Sequence, residues 1–256
     1  MIREKFDLSG RWAFVTGSAR GIGRAIAAGL AEFGAKVVVH GTQPTPPLEA
    51  SLAAVRAWSP DSFAVTGDLA EEGAAARLFE GMRARGVEPD IVVCNASVQK
   101  NVPWDAITQA DMAWQMQVNV NATLQMFQLA YPHMKAQGWG RMIVVGSVQE
   151  QRPHPLMAVY AASKSAQENL VRNLARQISK EGITVNNLCP GVFATDRNKE
   201  ALGNPAYAEK VLAAIPMHDY ARPEDAAGAA VLLASDAGRY ITGTTILVDG
   251  GLRLPG

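Results

Sequence analysis

An excess of charge of either sign is missing from this 256-residue sequence, in which 24 Lys and Arg balance 24 Asp and Glu. A neutral chain has no overall field that would hold a polyanion, so we expect no nucleic-acid partner. Long apolar runs are also missing. Segments such as 143–145 are far shorter than the roughly 20 residues that a membrane-spanning helix needs, so we expect no membrane span.

Cysteine is scarce as well, with two residues, Cys94 and Cys189, in apolar segments. Two cysteines are too few for a disulfide framework, and we expect both to be buried free thiols. The first ten residues contain four charged side chains and no apolar core, so we expect no signal peptide and a cytoplasmic protein. The four histidines show no metal-ligand spacing, so we expect no metal site; they are His40, His133, His154 and His218.

Short apolar runs alternate with longer amphipathic stretches along the whole chain. The runs predict strands at 12–16, 36–40, 62–66, 91–94, 141–145, 184–188 and 245–248. The stretches predict helices at 23–33, 48–57, 73–85, 109–137, 159–180 and 223–234. This alternation predicts an α/β fold, a doubly wound Rossmann-type sheet of seven mostly parallel strands with helices on both faces. No linker divides the sequence, so we expect one domain over residues 1–256.

A glycine-rich turn joins the first predicted strand to the first helix. Its glycines, at 17, 21 and 23, permit a tight turn and close approach of the backbone to a pyrophosphate. The helix that follows offers unpaired N–H groups and the positive end of its dipole to phosphates. The turn therefore predicts a dinucleotide site, with Gly17, Ser18, Arg20, Gly21, Ile22 and Gly23 as its candidate contacts.

Polar and small residues follow two later strands, where an open α/β sheet binds its ligands. We expect Asp68 and Leu69 to lie near the adenine, with the carboxylate available to its amino group. The stretch Asn95, Ala96 and Ser97 would leave room for the cofactor beside the fourth strand.

The end of the second strand bears on the choice between NAD and NADP. An acid there would bind the ribose 2′-OH of NAD and repel a 2′-phosphate. This chain has Gly41 and Thr42 in that place, and Arg20, which is well shaped for a phosphate, in the glycine turn. We therefore predict a preference for NADP(H). The alternative is a solvated Arg20, with Thr42 bonding to the ribose of NAD.

Tyr160 and Lys164 lie four residues apart on the helix predicted at 159–180, so their side chains share one face. A tyrosine hydroxyl, with an ordinary pKa of about 10, is a poor proton carrier near neutrality. A lysine charge about 4 Å away stabilises the phenolate by roughly 4 kcal/mol and so lowers the pKa of the tyrosine. Burial opposes this effect, because it disfavours the charged phenolate. Ser147, after the fifth strand, can donate to a substrate oxygen. These three residues predict an acid–base site for hydride transfer.

Together these motifs resemble the short-chain dehydrogenase/reductase family over nearly the whole chain. They are Thr16-Gly17-x-x-x-Gly21-Ile22-Gly23, Asp68-Leu69, Asn95-Ala96, Val118-Asn119, Ser147, Tyr160-x-x-x-Lys164, Pro190-Gly191 and Thr195. The resemblance implies that Asn119 interrupts a helix and supports a proton relay through water. It also implies that Lys164 binds the nicotinamide ribose and that Tyr160 contacts the cofactor. Pro190, Gly191, Val192 and Thr195 are implied to contact the nicotinamide end, with Thr195 near the carboxamide or the phosphates. It implies a homotetramer or homodimer paired through the helices at 109–137 and 159–180. One departure is Ser97, where the family usually has glycine.

The function expected from these residues is reversible hydride transfer between a secondary alcohol and its ketone, with Tyr160 as the acid and base. Specificity would come from a lid at 193–217 and from residues near the site. Gln149 and His154 suit a sugar or polyol, whereas Met157 and Phe193 suit a 3-oxoacyl thioester; His154 could equally be a surface loop residue. A catalytically silent nucleotide sensor on the same fold is the alternative function.

Overall fold

The computed structural model describes residues 1–254, and its centre is a seven-stranded parallel sheet in the order β3-β2-β1-β4-β5-β6-β7. The strands are β1 Trp12–Val15, β2 Lys36–Gly41, β3 Phe63–Thr66, β4 Ile91–Cys94, β5 Gly140–Val145, β6 Ile183–Pro190 and β7 Thr245–Val248. Every neighbouring pair is parallel. The predicted fold class is confirmed, and each strand lies within two residues of its predicted bounds.

Helices cover both faces of this sheet. Within residues 1–254 they are α1 Gly21–Glu32, α2 Pro46–Arg56, α3 Ala74–Arg83, α4 Gln109–Met116, α5 Ala122–Gln137, α6 Ala158–Ile178, α7 Asp196–Leu202, α8 Pro205–Ala213 and α9 Asp225–Ala234. Alternate strand residues enter different cores. Phe14 packs with α3, α5 and α6, whereas its neighbours Ala13 and Val15 pack with α1, α2 and α9. Such two-sided burial explains why the strand sequences are apolar at nearly every position.

Glycines end several of these helices in the left-handed region, as their positions in the sequence predict. Gly34, Gly86, Gly138 and Gly182 have φ angles of 98°, 71°, 67° and 77°. A residue without a Cβ adopts this conformation at little cost, which lets the chain turn into the next strand.

The long helix predicted at 109–137 is divided in the structure. A π-helical turn, Gln117–Asn121, separates α4 from α5. Within this turn, the Asn119 side chain forms two hydrogen bonds with the backbone of Val98. These bonds attach the π-helical turn to the loop after β4. Residues 193–217 also differ from a plain loop, because they contain the short helices α7 and α8.

The strand order creates a crevice beside β1. The chain builds β2 and β3 on one side of β1 and then crosses to place β4 on the other side. The loops after β1 and β4 therefore diverge, which leaves space for a ligand at the carboxyl end of the sheet. None of the helices within residues 1–254 combines the length and apolarity needed to cross a membrane.

Candidate active site

A cavity of about 980 Å³ opens at this carboxyl edge of the sheet. Most of the residues predicted to bind cofactor or substrate line it: Gly17, Arg20, Gly21, Ile22, Gly23, Gly41, Thr42, Asp68, Leu69, Asn95, Ala96, Ser97, Ser147, Gln149, His154, Met157, Tyr160, Pro190, Gly191, Val192, Phe193 and Thr195. Ser18, Asn119 and Lys164 are buried behind its wall. The structure thus brings together segments that are far apart in the sequence.

The glycine turn is closely packed against the loop after β4. A Cβ on Gly17 would lie 2.8 Å from the Cα of Ala96, and one on Gly23 would lie 2.6 Å from the Gly17 carbonyl oxygen and overlap the Asn95 side chain. The Asn95 amide nitrogen donates to the carbonyl oxygens of Thr16 and Gly17, at 2.9 and 3.0 Å. Asn95 therefore shapes the turn from behind, and the close packing requires glycine at positions 17 and 23.

His40 performs a second bracing role that the sequence pattern did not reveal. Its Nδ1 accepts from the Gly17 N–H at 3.0 Å, and its Nε2 lies 2.9 Å from the Gly67 carbonyl oxygen. The ring thus needs a proton on Nε2 only, which is the neutral form. Burial lowers the pKa of His40 to about 4, so the imidazole stays neutral at physiological pH. The predicted contact Ser18 is structural too, since its hydroxyl donates to the Val15 carbonyl oxygen and accepts from the His40 N–H.

The phosphate end of the cavity combines three features. Helix α1 begins at Gly21 and has no acid in its first turn, so its N-terminus is favourable to an anion. Arg20 is exposed beside it, and Thr42 and Gly41 line the cavity where β2 ends. Thr195 comes close from the opposite side, because a Cβ on Gly21 would lie 3.5 Å from its Cγ2. Asp68 uses one carboxylate oxygen to accept from the Ala70 N–H.

Tyr160 and Lys164 occupy one face at the start of α6, as their spacing predicts. The Lys164 ammonium nitrogen lies 5.7 Å from the centre of the Tyr160 ring and donates to the Val145 carbonyl oxygen at 2.8 Å. Burial raises the pKa of Tyr160 above its ordinary value, although the Arg197 charge and the Ser147 hydroxyl act against that rise. This direction is opposite to the sequence expectation, because burial outweighs the favourable charges.

Lys164 responds to the same surroundings in the opposite sense. Burial and, to a smaller extent, the positive charge of Arg197 lower its pKa to about 7, against the opposing effect of the Glu150 carboxylate. Both titratable groups of the pair, Tyr160 on the cavity wall and Lys164 behind it, therefore have altered proton affinity, which is typical of acid–base sites.

A half-buried carboxylate, missed by the sequence reading, fixes Ser147. The Glu150 Oε1 accepts from the Ser147 N–H at 3.0 Å and from the Asn187 amide nitrogen at 3.1 Å, while the Ser147 hydroxyl accepts from the Gln149 N–H. The spacing Ser-x-x-Glu is that of a capping box, so this pairing could have been found from the sequence. Ser147 is thereby held at the mouth of the cavity, close enough to Tyr160 to affect its pKa.

Asn119 occupies the interrupted helix that the resemblance implies. Its side chain bonds to both backbone groups of Val98 and donates to the Ser163 hydroxyl at 2.9 Å. Its carbonyl oxygen accepts from the side chains of Thr123 and Gln167. The predicted relay through water thus stays a prediction, while the geometry shows Asn119 joining the β4 loop to α6.

The lid and the loop before α6 supply the substrate side. Gln149, His154 and Met157 line the cavity as predicted, and the Gln149 Oε1 accepts from the His154 N–H. Phe193 borders the cavity, but its side chain is 1% exposed and packs in the core on the α1 side of the sheet. Phe193 therefore offers little surface to an acyl chain. Arg197 of α7, which the sequence reading missed, reaches across to Ser97.

Comparison with known proteins gives matches over nearly the whole chain. The family model described as enoyl-(acyl carrier protein) reductase matches residues 17–253. A gluconate 5-dehydrogenase of Gluconobacter oxydans is 32% identical over 250 residues, covering 96% of each chain. A crystal structure of a 3-oxoacyl (acyl-carrier-protein) reductase from Agrobacterium tumefaciens with NADP bound has a TM-score of 0.92 at 40% identity, covering 98% of this chain and 97% of that one. A gluconate 5-dehydrogenase from Burkholderia cenocepacia in complex with NADP and tartrate has a TM-score of 0.92 at 32% identity, covering 100% of both chains.

The chain belongs to the short-chain dehydrogenase/reductase family. The expected membership is thus confirmed, and the curated relatives are dehydrogenases and reductases. The protein is an NAD(P)-dependent oxidoreductase of this family, with a Rossmann-type fold.

Proposed function

We propose that the protein catalyses reversible, NADP(H)-linked oxidation of a secondary alcohol to its ketone. The observation that carries this proposal is that one cavity is lined by the braced glycine turn, Ser147 and Tyr160, with the Lys164 ammonium buried behind its wall. A silent nucleotide sensor would have no need of a hydroxyl donor, a buried phenol and a buried ammonium at the same place. The sensor would be favoured by tight cofactor binding without any change in reduced-nicotinamide absorbance over a panel of alcohols and ketones.

The residues present fit a nicotinamide dinucleotide. Gly17 and Gly21 line the cavity with positive φ angles of 62° and 56°, a backbone conformation that favours glycine in a phosphate-binding turn. The α1 N-terminus and Thr195 would hold the pyrophosphate, while Ser97 and the Pro190–Val192 stretch would border the nicotinamide. When bound, the cofactor supplies the carbon that accepts or returns a hydride.

The protein's own groups then manage the proton and the substrate oxygen. In alcohol oxidation, the Tyr160 oxygen takes the hydroxyl proton as hydride leaves the carbinol carbon; in ketone reduction, it returns that proton. Ser147 donates to the same substrate oxygen and fixes its position. Lys164 would bind the nicotinamide ribose and keep positive charge near Tyr160, which favours the phenolate.

Preference for NADP(H) over NAD(H) is supported by the absence of an acid where β2 ends, at Gly41 and Thr42, and by the exposed guanidinium of Arg20. The test compares dissociation constants of NADPH and NADH for the parent protein and for Arg20→Gln. We expect the substitution to weaken NADPH binding about tenfold and NADH binding little, because one charge-assisted contact to the 2′-phosphate is lost. Arg24→Gln, an exposed position in α1 four residues later, is the matched control. Equal or tighter binding of NADH by the parent protein would contradict the preference.

The substrate classes proposed are sugars or polyols and 3-oxoacyl thioesters. Polar Gln149 and His154 on the cavity wall support the first class, and Met157 supports the second. Relatives named gluconate 5-dehydrogenase and 3-oxoacyl-[acyl-carrier-protein] reductase represent both. Initial rates over a panel from both classes separate them. The enclosed Phe193 side chain favours the polyol class, since it removes an apolar surface that the acyl chain would need.

The proposed assembly is a cytoplasmic homotetramer or homodimer of single-domain subunits, with residues 193–217 as the lid. Exposed apolar side chains near α4 support self-association, namely Trp104, Met112 and Trp114. Light scattering that gives the mass of one chain would contradict it.

A further inference from the structure

Arg197 is an exposed cation that lines the cavity. It is the second residue of α7, and its Nη1 and Nη2 donate to the hydroxyl and the backbone oxygen of Ser97, at 3.0 and 2.6 Å. Among residues 1–254, no carboxylate pairs with it. Two of its five N–H donors are therefore committed to Ser97, and the others remain available to a ligand.

The position of this guanidinium is fixed from both ends. The lid helix α7 carries its backbone, and the loop after β4 holds its planar head through two hydrogen bonds. A guanidinium held in this way is preorganised, so a ligand that binds it avoids much of the entropy cost of ordering a long side chain. Residues of the polar wall, Gln149 and His154, line the same cavity.

The charge of Arg197 reaches the reacting groups. Of the charged groups that act on Tyr160 and Lys164, it has the largest effect, lowering the pKa of each. Lys164 and Arg197 thus place two positive charges around one reacting position, and Glu150 is the carboxylate that opposes them at Lys164. An anionic substrate would supply the carboxylate partner that Arg197 lacks, whereas a neutral substrate would not.

We propose that Arg197 binds a carboxylate group of the substrate, so that the enzyme acts on a polyhydroxylated carboxylic acid in preference to a neutral polyol or an acyl thioester. The planar fork of a guanidinium matches the two oxygens of a carboxylate. This assignment rests on the proposed oxidoreductase function. A cofactor phosphate could offer similar chemistry, so the test measures both ligands.

The probes are gluconate and gluconamide, which differ only in replacement of the carboxylate by a neutral amide. Rates are measured with NADP+ for the parent protein, for Arg197→Gln and for Lys199→Gln. Lys199 lies on the same helix, is exposed and does not line the cavity, so it controls for a general change in lid charge. Calorimetry of each probe added to the enzyme–NADPH complex gives an affinity that does not require turnover.

We expect the parent protein to favour gluconate over gluconamide at least tenfold in kcat/KM and in affinity. Arg197→Gln should lose about 10- to 100-fold more on gluconate than on gluconamide, in line with loss of a charge-assisted pair. Lys199→Gln should behave as the parent protein.

Equal losses on both probes, or weakening of NADPH binding in Arg197→Gln in place of gluconate binding, would overturn the assignment. Absence of gluconate binding to the parent protein would also overturn it. If neutral polyols or ketones still turned over in that case, the oxidoreductase function would stand without the carboxylate site. If no alcohol or ketone were turned over at all, the proposed function would itself fail.

Discussion

We predict that protonation of His40 destabilises the folded protein at low pH. The imidazole accepts from the Gly17 N–H and bonds to the Gly67 carbonyl oxygen, so it ties the glycine turn to the ends of β2 and β3. Protonation of Nδ1 would place a donor against the Gly17 N–H and break the first of these bonds. We therefore expect the folded protein to resist protonation of His40 and to lose stability when acid forces it.

The sign and size of the change in unfolding free energy follow from the pKa of His40 in the folded and unfolded states. The folded pKa is about 4, below an unfolded value of about 6.5. The unfolded chain thus takes up the proton first, so the stabilising contribution is complete above about pH 6.5 and is lost as the pH falls toward 4. Because proton binding is linked to unfolding, this difference in pKa lowers the free energy of unfolding by about 2 kcal/mol between pH 7 and pH 5.

Urea unfolding of the parent protein and of His40→Asn at several pH values measures this contribution. At pH 7 the variant should be less stable by about 2 kcal/mol, because buried hydrogen bonds are lost. Since asparagine does not titrate, that difference should shrink toward zero by pH 5. His218→Asn is the control: His218 is exposed with a φ of 54°, a conformation that asparagine tolerates, so the substitution should change stability little. A stability difference for His40→Asn that is constant from pH 7 to pH 5 would refute the reasoning.

Two further predictions concern the site. Tyr160→Phe should lower kcat by about 10²- to 10⁴-fold, since the proton carrier is removed, while the NADPH dissociation constant changes little; retained turnover would contradict its role. Gly23→Ala should weaken NADPH binding at least tenfold and lower the unfolding free energy, because a Cβ would overlap Asn95 and the Gly17 carbonyl oxygen. Gly228→Ala, in α9 with nothing within 4 Å, should instead be neutral or stabilising by up to about 1 kcal/mol.

The elements predicted accurately are those whose signals are local. Strand β7 lies where its apolar run predicts it, and α5 ends at Gln137, just before Gly138, whose left-handed φ follows from its position after the helical pattern. The division of the 109–137 helix was not predicted from periodicity, because Val98, twenty-one residues before Asn119, holds the π turn. His40 likewise looked like an ordinary strand end until β3 placed Gly67 against its ring.

Ser97 and Arg197 show how a departure from a family motif gains meaning from the fold. From the sequence, Ser97 is a slightly larger residue where glycine is usual, and it weakens one expected cofactor contact. In the structure its hydroxyl accepts from Arg197, a hundred residues later in the chain. Glycine could offer its backbone oxygen to that guanidinium but would lack the hydroxyl. The pair should therefore act together, and Ser97→Gly should reduce the preference for gluconate over gluconamide in the same direction as Arg197→Gln, by a smaller factor, because the backbone bond survives.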